Sequence, residues 1–125
     1  MDNGRILLDI ETQKDFFAPQ GSCYSRRCGK AAEQIRRLFR WARDNEIPVI
    51  STVLRVRPGE RGPLASRPHC IEDTEGEQKV RGTLMSTRID LGLRNTTDLP
   101  REIFRHFQQV IFEKRRTDIF AHPRL

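Results

Sequence analysis

The sequence predicts an α/β domain built on a parallel sheet, and three observations carry that prediction. Apolar runs of strand length open at Arg5, at Val49 and at Gln108, and buried parallel strands read as near-continuous apolar runs. Between the first two lies an amphipathic stretch, so strand, helix and strand follow one another in the order of a βαβ unit, with a right-handed crossover expected. The first and third runs each deliver charge at their ends, Asp9 and Glu11 in one and Lys114 in the other. In a parallel sheet those ends lie on one side, where α/β proteins collect their chemistry.

The elements follow in order. Arg5 to Phe17 begins as a strand and breaks into a polar segment ending in a phenylalanine pair, and Ala18 to Ser22 is a loop by composition. Lys30 to Glu46 reads as a helix: Ala31, Ile35, Leu38, Phe39 and Ala42 recur at spacings of three and four, while Lys30, Glu33, Arg37, Arg40 and Asp44 fill the other side as a solvated face. Ile47-Pro48 ends it and the β-branched run Val49 to Leu54 follows. Arg55 to Pro68 is rich in proline and glycine and reads as an irregular loop whose arginines, Arg55, Arg57, Arg61 and Arg67, face solvent or an anionic ligand. From Met85 to Leu91 apolar and polar residues alternate as in a half-exposed extended segment. Asp98 is placed to cap a short helix with Pro100 just inside it and Ile103, Phe104 and Phe107 on its apolar face. The third strand then runs to Lys114.

At 125 residues the chain is a single domain, and its composition, 36% hydrophobic and 32% charged, does not have the bias of a disordered one. The net charge of +6 admits an anionic partner without requiring one, and the arginines that would serve nucleic acid are accounted for as solvated charges. No apolar stretch approaches the length that spans a bilayer. Asp9 interrupts the early apolar run, so no secretory signal is read, and the three cysteines, Cys23, Cys28 and Cys70, are expected to be free thiols in the cytoplasm. Their spacings with His69 match no zinc pattern, so no metal and no other cofactor is expected.

Glu11-Thr12-Gln13-Lys14-Asp15-Phe16, Pro68-His69-Cys70 with Thr74 and Gly76, and Glu113-Lys114-Arg115 followed by Phe120 occur in that order. Together they resemble the isochorismatase-like cysteine hydrolases, the superfamily that includes nicotinamidases and N-carbamoyl amide hydrolases. The resemblance implies a Rossmann-like three-layer fold and a catalytic group of acid, lysine and cysteine acting on a small amide or an enol ether. By the same resemblance Glu11 is the base, Lys114 the cation that stabilises a thiolate, and Phe16 and Phe120 are substrate-pocket candidates. The chemistry suits that grouping, since the thiolate is the reactive form and needs a base and a nearby cation.

The sequence departs from the family pattern twice. Glu11 stands where the family has Asp, and Asp9, on the same face by the period of two, is an alternative base. The family's nucleophile follows a strand beyond the lysine strand, and no such strand is read here; Cys70 matches the family's non-nucleophilic cysteine. Residues 1–125 are thus expected to form one isochorismatase-like domain, incomplete at the C-terminus after about three core strands and inactive alone. It would associate with itself or with a complementing chain, and take a small-molecule substrate once completed. The alternative is a non-catalytic pseudo-enzyme or a basic module binding nucleic acid or a protein.

Overall fold

The computed structural model describes residues 4–60, 68–93 and 101–115. Arg61, Arg67, Asp98, Pro100 and Phe120 lie outside the described residues. Strands β1 (Leu7–Ile10), β2 (Val49–Leu54), β3 (Arg88–Asp90) and β4 (Gln109–Lys114) form one sheet in the order β1-β2-β4-β3, and every pair is parallel. Among the described residues three α-helices accompany them, α1 (Lys14–Phe17), α2 (Arg26–Asp44) and α3 (Ile103–His106), with a 3₁₀ turn at Glu75–Glu77. None of the described helices is long and apolar enough to cross a membrane.

The three predicted strands are present, and the weak alternating segment supplies a fourth, β3. It is only three residues long and, among the described residues, pairs with β4 alone, in keeping with its faint pattern. Helix α2 starts before Lys30, because Ser25 caps it and its Oγ accepts from the Cys28 N–H at 3.4 Å. The helix ends at Asp44, and Ile47 N–H bonds back to the Ala42 carbonyl at 2.9 Å.

Side chains alternate across the sheet and two layers cover it. On one face α2 packs Phe39 and Ala42 against Val49, Ile47 and Met85, with Leu7 and Ile35 at the margin. On the other, Ile103 of α3 packs on Val110 and Phe112, with Ile50 and Ile89 beside them. That second layer does not reach β1: Ile6, Leu8 and Ile10 remain 55%, 48% and 44% exposed.

Beyond the strand ends the chain is knitted by side-chain hydrogen bonds to backbone. Gln13 is fully buried; its Nε2 donates to the Leu54 and Glu77 carbonyls and its Oε1 accepts from the Leu54 N–H, each at 2.7 Å. The Asp15 carboxylate accepts from Cys70 N–H at 2.7 Å and Ser22 N–H at 3.2 Å. Gly76 makes room for it, since a Cβ there would lie 2.2 Å from Asp15 Oδ2. Gln13, Asp15 and Gly76 are therefore the pieces that lock the 68–80 segment onto the end of β1.

Candidate active site

Two charges from opposite ends of the sequence meet at the carboxyl end of the sheet. Lys114, the last residue of β4, projects from the same side as Val110 and Phe112 and bonds through Nζ to Glu11 Oε1. The lysine side chain is 1% exposed and that of Glu11 15%. A buried ammonium is costly unless paired, and Glu11 is such a partner.

Glu11 reaches Lys114 because the backbone turns there. The period of two would keep it on the face of Asp9, but Glu11 has φ +54, in the left-handed region that costs a residue with a Cβ about 1 kcal/mol or more. Its N–H still extends the ladder to the Thr52 carbonyl at 2.9 Å, and its own carbonyl accepts from Gln13 N–H at 2.8 Å. Beside it Thr52, the register partner of Ile10 and Phe112, has a buried hydroxyl with no hydrogen-bond partner among the described residues.

Asp9 goes elsewhere. The expectation that it shares a face with Glu11, which made it the alternative base, is corrected: it lies under α2 in an ion pair with Lys79. Ser51 Oγ donates to Asp9 Oδ2 at 2.7 Å and Thr12 Oγ1 to Asp9 Oδ1 at 2.8 Å. Lys79 Nζ also bonds Thr12 Oγ1 at 2.6 Å and sits 5.6 Å from the centre of the Phe39 ring. Burial pulls the Lys79 pKa down, against the opposing pull of Asp9. The sequence reading missed Lys79, although a carboxylate inside an apolar strand does call for a buried cation.

Arg55, at the end of β2, is bound by carboxylates on two sides, Glu77 Oε2 at 2.8 Å and Glu113 Oε1 at 2.5 Å. Burial works against its charge, but those carboxylates outweigh it and its pKa is raised. Burial, reinforced by Asp90, raises the Glu113 pKa, with Arg55 opposing. A cleft of about 690 Å³ on the α2 side of the sheet is lined by Val53, Arg55, Lys79, Arg88, Ile111 and Glu113, and its lining excludes Glu11 and Lys114. Of the loop arginines predicted to face solvent or an anion, Arg55 is thus spent on internal ion pairs, and Arg57 is exposed beside Glu60 at 3.8 Å.

Cys70 is buried against Leu54, Val56 and Phe16. Burial pushes its thiol pKa far up, and the carboxylates of Asp15 and Glu11 push the same way. A thiol so placed is held protonated and makes a poor nucleophile. Phe16, a pocket candidate, is half-buried in this cluster, with its ring centre 5.9 Å from that of the buried His69. Cys23, Cys28 and Cys70 are free thiols.

A parallel α/β sheet with an acid–lysine pair at its carboxyl end defines the class. The chain belongs to the isochorismatase domain family, whose pattern matches residues 5–83. Solved structures share the fold: a pyrazinamidase of Pyrococcus horikoshii in complex with zinc (19% identity, TM-score 0.53, covering 90% of this chain and 53% of that one); a pyrazinamidase/nicotinamidase from Streptococcus mutans UA159 (18%, 0.59, 88% and 56%); and a nicotinamidase/pyrazinamidase from Bacillus subtilis (19%, 0.57, 87% and 55%). The chain thus spans little more than half the length of these relatives. No curated relative matches it. Among the described residues no group of three or more His, Cys, Asp or Glu could hold a metal ion.

Proposed function

We propose that Glu11 and Lys114 are the base and the cation of an isochorismatase-type hydrolytic site acting on a small amide or enol ether, and that the chain needs a thiol from outside its own three cysteines to turn over. The observation that carries this reading is the Glu11–Lys114 contact, made across 103 positions of sequence at the strand ends. The lysine favours a thiolate placed beside it and the carboxylate can take the thiol proton. Attack on an amide carbonyl carbon would then give a thioester and release the amine. Cys70 does not fill the role, since burial, with Asp15 and Glu11 adding to it, opposes its ionisation. The nicotinamidase and pyrazinamidase relatives support an amide as substrate.

Among the described residues β1 pairs with β2 alone, and that edge supports a second half of the site docking there, from further chain or from a partner. Ammonia release from nicotinamide and other small primary amides tests the reading, measured for residues 1–125 alone and for the product of the reading frame extended past the Leu125 codon. No turnover is expected from the first. Turnover by the extended protein should fall on the order of a hundredfold or more in Glu11→Gln and in Lys114→Ala, given what loss or displacement of a catalytic group costs. Turnover by residues 1–125 alone, whether or not it depends on Cys23, Cys28 or Cys70, would overturn the reading.

A further inference from the structure

We propose that the buried network of Asp9, Thr12 and Lys79 is a positioning device that holds Glu11 in its left-handed conformation and so aims its carboxylate at Lys114. The inference rests on the reading of Glu11 and Lys114 as base and cation. Asp9 and Thr12 bracket Ile10 and Glu11, and the Thr12 Oγ1 to Asp9 Oδ1 bond at 2.8 Å closes a four-residue clasp around them. Lys79 Nζ holds both ends of the clasp, bonding Asp9 Oδ2 and Thr12 Oγ1. The clasp is anchored to the sheet: Ser51 of β2 donates to Asp9, and Gln109 Nε2 of β4 donates to Ser51 Oγ at 2.8 Å. Gln109 is itself fixed, accepting from Met85 N–H at 2.8 Å and donating to the Thr83 carbonyl at 3.0 Å. Lys79 comes from the segment that pairs antiparallel with Gln13, where Val80 N–H bonds the Thr12 carbonyl at 2.8 Å.

Stability alone does not account for this arrangement. Replacing a buried ion pair by apolar residues of similar volume is often neutral or stabilising, which leaves the geometry it imposes as a role for it. Here that geometry is unfavourable for an ordinary residue: left to the pleat, Glu11 would follow Asp9 to the α2 face and miss Lys114. The network grips the chain on either side of Glu11, at Asp9 and Thr12, and so acts on it through the backbone.

Zero-length carbodiimide coupling of the 125-residue chain reads the contact directly. The reagent activates the Glu11 carboxylate, the Lys114 amine attacks, and an isopeptide bond forms as the reagent leaves as its urea. Peptide mass spectrometry quantifies that link against the surface pair Lys14–Glu75, 3.3 Å apart, as internal standard. The wild type is expected to link. Thr12→Val and Lys79→Met should lower the Glu11–Lys114 yield about tenfold at a temperature where each is folded, with the standard unchanged, while Thr12→Ser restores it. If the network serves stability only, both variants melt earlier yet link like the wild type, and the positioning role is refuted while the base–cation reading stands. A wild type that fails to link refutes both. If Lys79→Met does not fold, Thr12→Val against Thr12→Ser decides.

Discussion

At the scale of single residues, two carboxylates separated by one position have opposite fates. Asp9 is sealed under α2 with Lys79, whereas Glu11 turns to the strand ends and meets Lys114. The energetics differ accordingly. Removing the Lys79 amine leaves Asp9 buried without its cation, so Lys79→Met should lose about 3–5 kcal/mol in urea unfolding. Cys70 gives a pH dependence with a definite sign. Its folded pKa is raised above the ordinary thiol value near 8.5, chiefly by burial, so the folded chain keeps a proton that the unfolded chain releases. The stabilisation is complete below about pH 8 and is lost as pH rises through the window above the unfolded pKa, at up to about 1.4 kcal/mol per pH unit. Subtracting the stability profile of Cys70→Ala from that of the wild type between pH 8 and 10.5 isolates it. A difference that stays flat across that range would show that Cys70 ionises alike in both states.

Elements were legible in the sequence to the extent that their signals were local. The β-branched run Val49 to Leu54 appears at its predicted bounds, and the resemblance of Glu11-Thr12-Gln13-Lys14-Asp15 to the family motif pointed to the acid that meets Lys114. The first turn of α2 was not read because Arg26, Arg27 and Gly29 give it no apolar stripe; the start is set by the Ser25 cap alone. The Lys79 partnership was hidden for a different reason. It joins positions 70 apart through an irregular segment whose register is fixed by Gln13 and Asp15, which no periodicity reports. Two substitutions probe these devices. Ser25→Ala should cost about 1 kcal/mol, read as a lower urea midpoint with an unchanged slope. Gly76→Ala should cost about 1–3 kcal/mol, because the new Cβ displaces the Asp15 carboxylate and leaves the Cys70 N–H unsatisfied; hydrogen exchange at the Cys70 amide should accelerate in that variant and not in Ser25→Ala.

At the scale of the whole molecule the sheet is covered unevenly. Helix α2 closes one face over β1 and β2, and α3 closes the other over β4 and part of β2, which leaves β1 with a bare face and one neighbour among the described residues. Ile6, Leu8 and Ile10 lie on that face at alternate positions, all large, apolar and about half exposed. An apolar strand with free N–H and C=O groups at a sheet edge is a template for pairing, and natural edges are usually blunted by charge, by proline or by a covering element. From Leu7 to Ile10 this edge has no lysine and no proline, and its one charged residue, Asp9, points inward to Lys79. The chain alone is therefore expected to associate as its concentration rises, with a weight-average mass above 14.6 kDa in sedimentation equilibrium. Leu8→Lys places a charge at the centre of the bare face without touching the α2 core or the Asp9 network, so it should restore the monomer with a stability change within about 1 kcal/mol. If Leu8→Lys associates as the wild type does, the contact lies elsewhere on the surface. A wild type that stays monomeric at high concentration would show that β1 is protected by means other than partner docking.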